Sequence, residues 1–149
     1  MKEVTNFIAY SIRNAFGIDR LIRSKHPLAD IVGQIAGSTP GRSPGIGPVC
    51  QRKIGNIALF FSIFFPAAWG RRCFFSSLLI MKWSYNRGLT PKLNIGLRKG
   101  RTDMEGHAWL SLEGTPFCER STLPENYPVK LSERGQLIYW YNEDRHPWR

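Results

Sequence analysis

The chain has 149 residues and 17.1 kDa, with 21 Lys and Arg against 11 Asp and Glu and a formal charge of +10. That length suits one domain with its own core and leaves no room for a second; a hydrophobic share of 42% excludes global disorder. The positive excess favours acidic partners (a nucleic-acid backbone, an anionic membrane face or an acidic peptide) without choosing among them.

From Val4 to Phe16 the apolar residues Val4, Phe7, Ile8, Ile12, Ala15 and Phe16 recur at helical spacing. They predict an amphipathic helix ending near Gly17, with Asp19–Arg23 as a second short turn. Pro27 opens a helix running to Ile35, because proline suits a first helical position. Gly37–Pro48 is so dense in Gly and Pro that it reads as a loop. Lys53–Phe65 is a second apolar helix, ended by Pro66. After a Trp69-Gly70 turn, Arg72–Tyr85 forms another, closed by Gly88.

The period then changes. Leu93, Ile95 and Leu97 alternate with Lys92, Asn94, Gly96 and Arg98, a strand with one buried face. Lys99–Gly106 reads as a polar turn. His107–Leu112 follows as a strand with Ala108, Leu110 and Leu112 on one face and His107, Trp109 and Ser111 on the other. Glu113-Gly114 makes a hairpin turn, Pro116–Arg120 is the return strand, and Leu137–Tyr141 is the last. Helices first and then a small antiparallel sheet give an α+β fold.

The run Ile57–Trp69 is too short to cross a bilayer, is interrupted by Pro66 and is closed by Arg71-Arg72. Peripheral contact with anionic lipid stays open. Cys50, Cys73 and Cys118 form an odd set without a CxxC pair, and Met1–Ala15 lacks the pattern of a signal peptide. A reducing cytoplasm is therefore the expected setting, with no disulfide framework. The cysteines and His26, His107 and His146 are scattered without close pairs, so neither a metal nor another cofactor is expected.

The chemistry of the chain centres on Cys73. A thiol is mostly protonated at neutral pH, and the thiolate is the nucleophile. The first turn of a helix surrounds Cys73 with unpaired N–H groups and the positive end of the dipole; Arg71 and Arg72 add charge nearby. The Cys73 N–H is a natural donor to an oxyanion. Taken alone, Cys73 reads as a buried helical cysteine. His107, one helix and one strand downstream, is the candidate base, and Glu119 the candidate acid that fixes its tautomer. Register tests the third assignment. A two-residue loop at Glu113-Gly114 sets His107 opposite Arg120, on the face of Cys118. Placing Glu119 beside the histidine requires an odd loop or a bulge.

In their order and spacing these elements resemble the transglutaminase-like cysteine peptidases that remove leader peptides in lasso-peptide biosynthesis. The residues that carry the resemblance are Trp69-Gly70-Arg71-Arg72-Cys73, Asn86-Arg87-Gly88-Leu89-Thr90-Pro91, Leu93-Asn94-Ile95-Gly96-Leu97, and His107-Ala108-Trp109-Leu110 with Glu113-Gly114. They span about Trp69 to Glu119. The resemblance implies a transglutaminase-like, papain-like core over residues 53–149, behind a helical section over 1–36 and the Gly/Pro-rich loop over 37–50. It maps the family's Cys, His and acid onto Cys73, His107 and Glu119. Glu119 stands where the family usually has Asp, and Phe74 where Leu is common. The implied substrate is the leader of a precursor peptide. The implied partners are a separate small winged-helix leader-recognition protein and an ATP-dependent macrolactam synthetase.

Two other readings stay open from the residues. In one, Lys92, Arg98, Lys99 and Arg101 form a cationic edge and Tyr139-Trp140-Tyr141 stacks bases, making a nucleic-acid-binding domain. Basic and aromatic residues are not interleaved on one surface, so no nucleic-acid partner is expected. In the other, the chain is a non-catalytic scaffold. Acyl transfer to an amine uses the same triad as hydrolysis.

Overall fold

The computed structural model describes residues 1–24, 26–36, 46–65, 68, 71–99, 101–119 and 127, together with the backbone of 129–131 and 137–139. Helices α1 (Lys2–Arg23), α2 (Leu28–Ala36), α3 (Pro48–Phe61) and α4 (Arg72–Tyr85) precede strands β1 (Lys92–Lys99), β2 (Met104–Leu112), β3 (Thr115–Phe117), β4 (Val129–Leu131) and β5 (Leu137–Tyr139). A single 3-10 turn, Ser62–Phe64, continues α3. The strands form one sheet in the order β3-β2-β1-β4-β5, with every neighbouring pair antiparallel. The fold is α+β, as the change of period along the chain predicts.

Helix α1 is continuous through Gly17, where the sequence predicts an end followed by a separate turn. Phe7, Ser11, Ala15, Ile18 and Ile22 form one unbroken buried stripe across that glycine. Burial of Ile18 and Ile22 outweighs the roughly 1 kcal/mol that an interior glycine costs. Helix α3 starts at Pro48, five residues before the predicted Lys53. Pro48 sits in its first turn, where the missing N–H costs nothing, and the Gly47 carbonyl accepts from Cys50 and Gln51 N–H at 3.0 Å each. The last residue of the predicted loop is thus the first of a helix. Of the remainder, residues 37–45 lie outside the described residues, as do Pro66, Trp69-Gly70, Arg120 and Trp140-Tyr141.

Helix α4 is the centre of the molecule. Phe75, Leu78, Leu79, Ile80, Met81 and Trp83 are buried along it, so it is apolar on nearly all sides. It packs against α1, α2, α3 and the β1–β2 pair. Its end is a Schellman motif: Gly88 takes φ 77°, the Leu89 N–H donates to Ser84 O and the Gly88 N–H to Tyr85 O, both at 3.0 Å.

The sheet departs from the simple alternation read from sequence. Strand β2 begins at Met104, and the β1–β2 ladder runs from Lys92↔Ser111 out to Lys99↔Met104. Half of the predicted polar turn is therefore strand, held across the ladder by Arg98 Nη2 and Glu105 Oε2 at 2.6 Å. Nor does β1 bury the expected face. Asn94 and Gly96 are buried while Leu93, Ile95 and Leu97 are half-buried, because the rings of Trp109 and Tyr127 cover the other side. Asn94 is satisfied there, its amide donating to Ser111 Oγ at 2.9 Å and Lys92 O at 3.1 Å.

Candidate active site

Cys73 lies in the first turn of α4, half-buried. No side chain caps this helix and no acidic residue stands in its first turn, which leaves the positive end of the dipole for the sulfur. Strand β3 pairs with β2 only over Leu110–Leu112, so the free edge of β2 begins at Ala108–Trp109. Helix α4 occupies that edge. Ser77 Oγ donates to Ala108 O at 3.2 Å, and the Ala108 N–H favours the charged form of the Cys73 sulfur.

Burial is the largest single influence on the Cys73 thiol and pushes its pKa up. The hydrogen bond with His107, the Ala108 and Phe74 N–H groups and the His107 charge together outweigh it, and the net shift is downward. His107 shows the complementary effect. Burial pulls its pKa down, but contact with Cys73 and Glu119 raises it to about 9. A lowered thiol beside a raised imidazole is the signature of a thiolate–imidazolium pair.

The imidazole is clamped by rings. It stacks on Tyr127 at 5.3 Å and on Trp109 at 6.1 Å between centroids. Opposite it on β1 is Gly96, where a Cβ would come within 2.5 Å of Tyr127 Cβ and 2.8 Å of the Trp109 ring. Only a residue without a side chain lets those rings close over the histidine. Tyr127 could not be found from sequence: it stands in a polar stretch with no periodicity, and only the fold brings it to His107.

Glu119 reaches the histidine by a route the register argument did not contain. The hairpin loop has two residues, with Leu112 opposite Thr115; Glu113 (φ 52°) and Gly114 (φ 82°) make a type I′ turn. There is neither an odd loop nor a bulge. Instead Cys118 adopts φ 60°, ends β3 and turns the chain, so that Glu119 Oε2 lies 3.5 Å from His107 Nε2. The pair is loose, since a well-formed hydrogen bond is shorter, and Nε2 has no other partner among the described residues.

Helix α3 holds this corner. A Cβ on Gly55 would lie 2.2 Å from the Cys118 carbonyl oxygen, so the helix backbone approaches the turn directly. Gln51, one turn earlier, accepts from the Cys118 N–H at 3.5 Å and donates to Ile46 O at 2.7 Å. Cys118 itself is buried and its thiol is pushed far upward, mainly by burial, which keeps it protonated and inert.

Cys73, His107 and Glu119 all line one cleft of about 630 Å³. Helix α3 lines it through Arg52, Asn56 and Leu59, none of which the sequence singles out. Their spacing at i, i+4 and i+7 puts them on one helical face, a signal that gains meaning only once the cleft is known. Of the cations of the nucleic-acid reading, Arg98 is bonded to Glu105 and lies over the Tyr127 ring at 5.0 Å, while Lys92, Lys99 and Arg101 are exposed. Among the described residues no group of three His, Cys, Asp or Glu side chains is placed to hold a metal ion. No helix among them is long and apolar enough to cross a membrane.

No curated protein and no solved structure matches the chain. The family model of the transglutaminase-like superfamily matches residues 23–132, most of the chain and all of the cleft, and with its helix-borne thiol and strand-borne imidazole the chain belongs to that superfamily.

Proposed function

We propose that the protein is a cysteine peptidase that removes the leader from a ribosomally made lasso-peptide precursor, with Cys73 as nucleophile, His107 as base and acid, and Glu119 as the group that orients the imidazole. The observation that carries the reading is the thiol–imidazole pair in a cleft large enough for a peptide segment. The superfamily includes cysteine peptidases, and the resemblance over Trp69–Glu119 supplies the leader-peptidase subtype.

With Nε2 turned to the carboxylate, Nδ1 is the nitrogen left to exchange a proton with sulfur. The Cys73 thiolate attacks the scissile carbonyl, and the new oxyanion is met by N–H groups of the first turn of α4. The His107 imidazolium gives its proton to the departing amine as the C–N bond breaks. Water then attacks the thioester, His107 takes its proton, and sulfur leaves as thiolate. The working setting is the cytoplasm. A small winged-helix protein presents the leader, and the freed core passes to a macrolactam synthetase.

The test is incubation with a leader–core precursor and the recognition protein, followed by mass spectrometry. Wild type is expected to release the leader and Cys73→Ala to release none. Equal cleavage by both would refute the assignment. Capture of an added amine by the acyl-enzyme would instead mark the protein as a transferase.

A further inference from the structure

The cleft has a charge pattern that the peptidase chemistry does not use. Among the described residues its only lining carboxylate is Glu119, which lies 3.5 Å from His107. Arg52, exposed on α3, lines the same cleft with Asn56 one helical turn away, and Arg52 makes no ion pair among the described residues. Arg71 and Arg72 stand exposed at the start of α4, the helix whose uncapped N-terminus carries the nucleophile. An arginine that lines a peptide-sized cleft and has no counter-ion among the described residues can take a carboxylate in a two-point contact. An amide donor four residues along the same face extends that recognition.

We infer that Arg52 and Asn56 form a specificity subsite for an acidic side chain, Asp or Glu, lying within a few residues of the bond that Cys73 attacks. Arg52 sets the charge preference and Asn56 donates to the same carboxylate. For its substrate this inference rests on the peptidase reading; for its charge preference it rests on the cleft alone.

Two measurements keep these apart. In the first, Cys73 is alkylated with anionic iodoacetate and with neutral iodoacetamide at one pH and low salt, and the ratio of the two rates is followed by peptide mapping. The ratio cancels any change in the thiol's own reactivity. Arg52→Glu reverses a unit charge beside the cleft, and a fall in the ratio of about fivefold is expected, shrinking as salt is added. Arg52→Gln, which keeps the side chain's length and helix preference, is expected to give about half that change on a logarithmic scale. An unchanged ratio in both variants overturns the subsite. In the second, a library of leader–core precursors randomised around the cut is incubated with the protein and the recognition protein. Cleaved peptides are expected to be enriched in Asp and Glu near the cut, and Arg52→Glu to shift that enrichment towards Lys and Arg. Cleavage by wild type indifferent to acidic residues also overturns it. Absence of any cleavage counts against the peptidase reading, while the alkylation ratio still decides the subsite.

Discussion

At the scale of the residue, the behaviour of Cys73 and His107 is set by opposing effects of comparable size. Burial disfavours charge on either group, yet each is the other's best partner, and the coupling wins at both. Iodoacetamide labelling of Cys73 is therefore expected to persist well below the pH at which an ordinary thiol reacts. His107→Ala is expected to move that profile upward, because the largest counterweight to burial is gone. If the two profiles coincide, the thiol is not activated by the ring. The raised histidine also fixes a sign for stability. Its folded-state pKa of about 9 exceeds its ordinary 6.5, so its contribution is complete below about 6.5 and is lost as pH rises through about 9.

In the proposed mechanism Glu119 acts through the histidine, as a positioning residue. Glu119→Gln keeps a hydrogen-bond acceptor but removes the charge that favours the imidazolium. Turnover is expected to fall by about ten- to a hundredfold, with the alkaline limb of the pH–rate profile moving down. A profile that keeps its shape would assign Glu119 a purely structural part.

At the scale of the element, the site depends on how α3, α4 and the β2 edge meet. Helix α4 brings the thiol to β2 where β3 has ended, and the left-handed Cys118 both ends β3 and delivers Glu119. Helix α3 secures that turn by direct backbone approach at Gly55. Gly55→Ala forces a methyl group against the Cys118 carbonyl, and a loss of about 1–3 kcal/mol is expected in urea unfolding. Because the displaced segment carries Glu119, turnover is expected to drop further than global stability, with the same pH–rate change as Glu119→Gln. Full activity in this variant would show that the corner tolerates displacement.

At the scale of the whole molecule, the core centred on α4 does not cover all the aromatic surface. Phe75 and Phe65 are buried and stack at 5.1 Å, but Phe16, Phe60 and Phe64 are 75%, 58% and 64% exposed. Phe60 and Phe64 pair with each other at 5.3 Å, and Ile8 and Ile12 continue the apolar surface along α1. Concentration-dependent self-association is expected in sedimentation velocity. The double variant Phe60→Ser, Phe64→Ser is expected to suppress it without loss of the unfolding midpoint. Undiminished association would place the sticky surface elsewhere.

Much of this architecture was legible from residue spacing, because helix and strand periods record which side of each element leaves water. Helix α4, its closure at Gly88, the β1–β2 pair and the placement of Cys73 in a first turn all follow from that record. So does His107 on a strand. What spacing does not contain is what meets across the chain. The aromatic cover that buries Asn94 and Gly96, the ring of Tyr127 against His107, the wall formed by Arg52 and Asn56, and the turn at Cys118 are long-range outcomes. Each rests on a partner distant in sequence: Trp109 for Gly96, Gly55 for Cys118, the β2 edge for Cys73. A local pattern reports only solvent exposure. Side-chain geometry at the cleft is decided when those distant surfaces pack, and there the hairpin parity that pointed Glu119 away from His107 was overruled by one residue with positive φ.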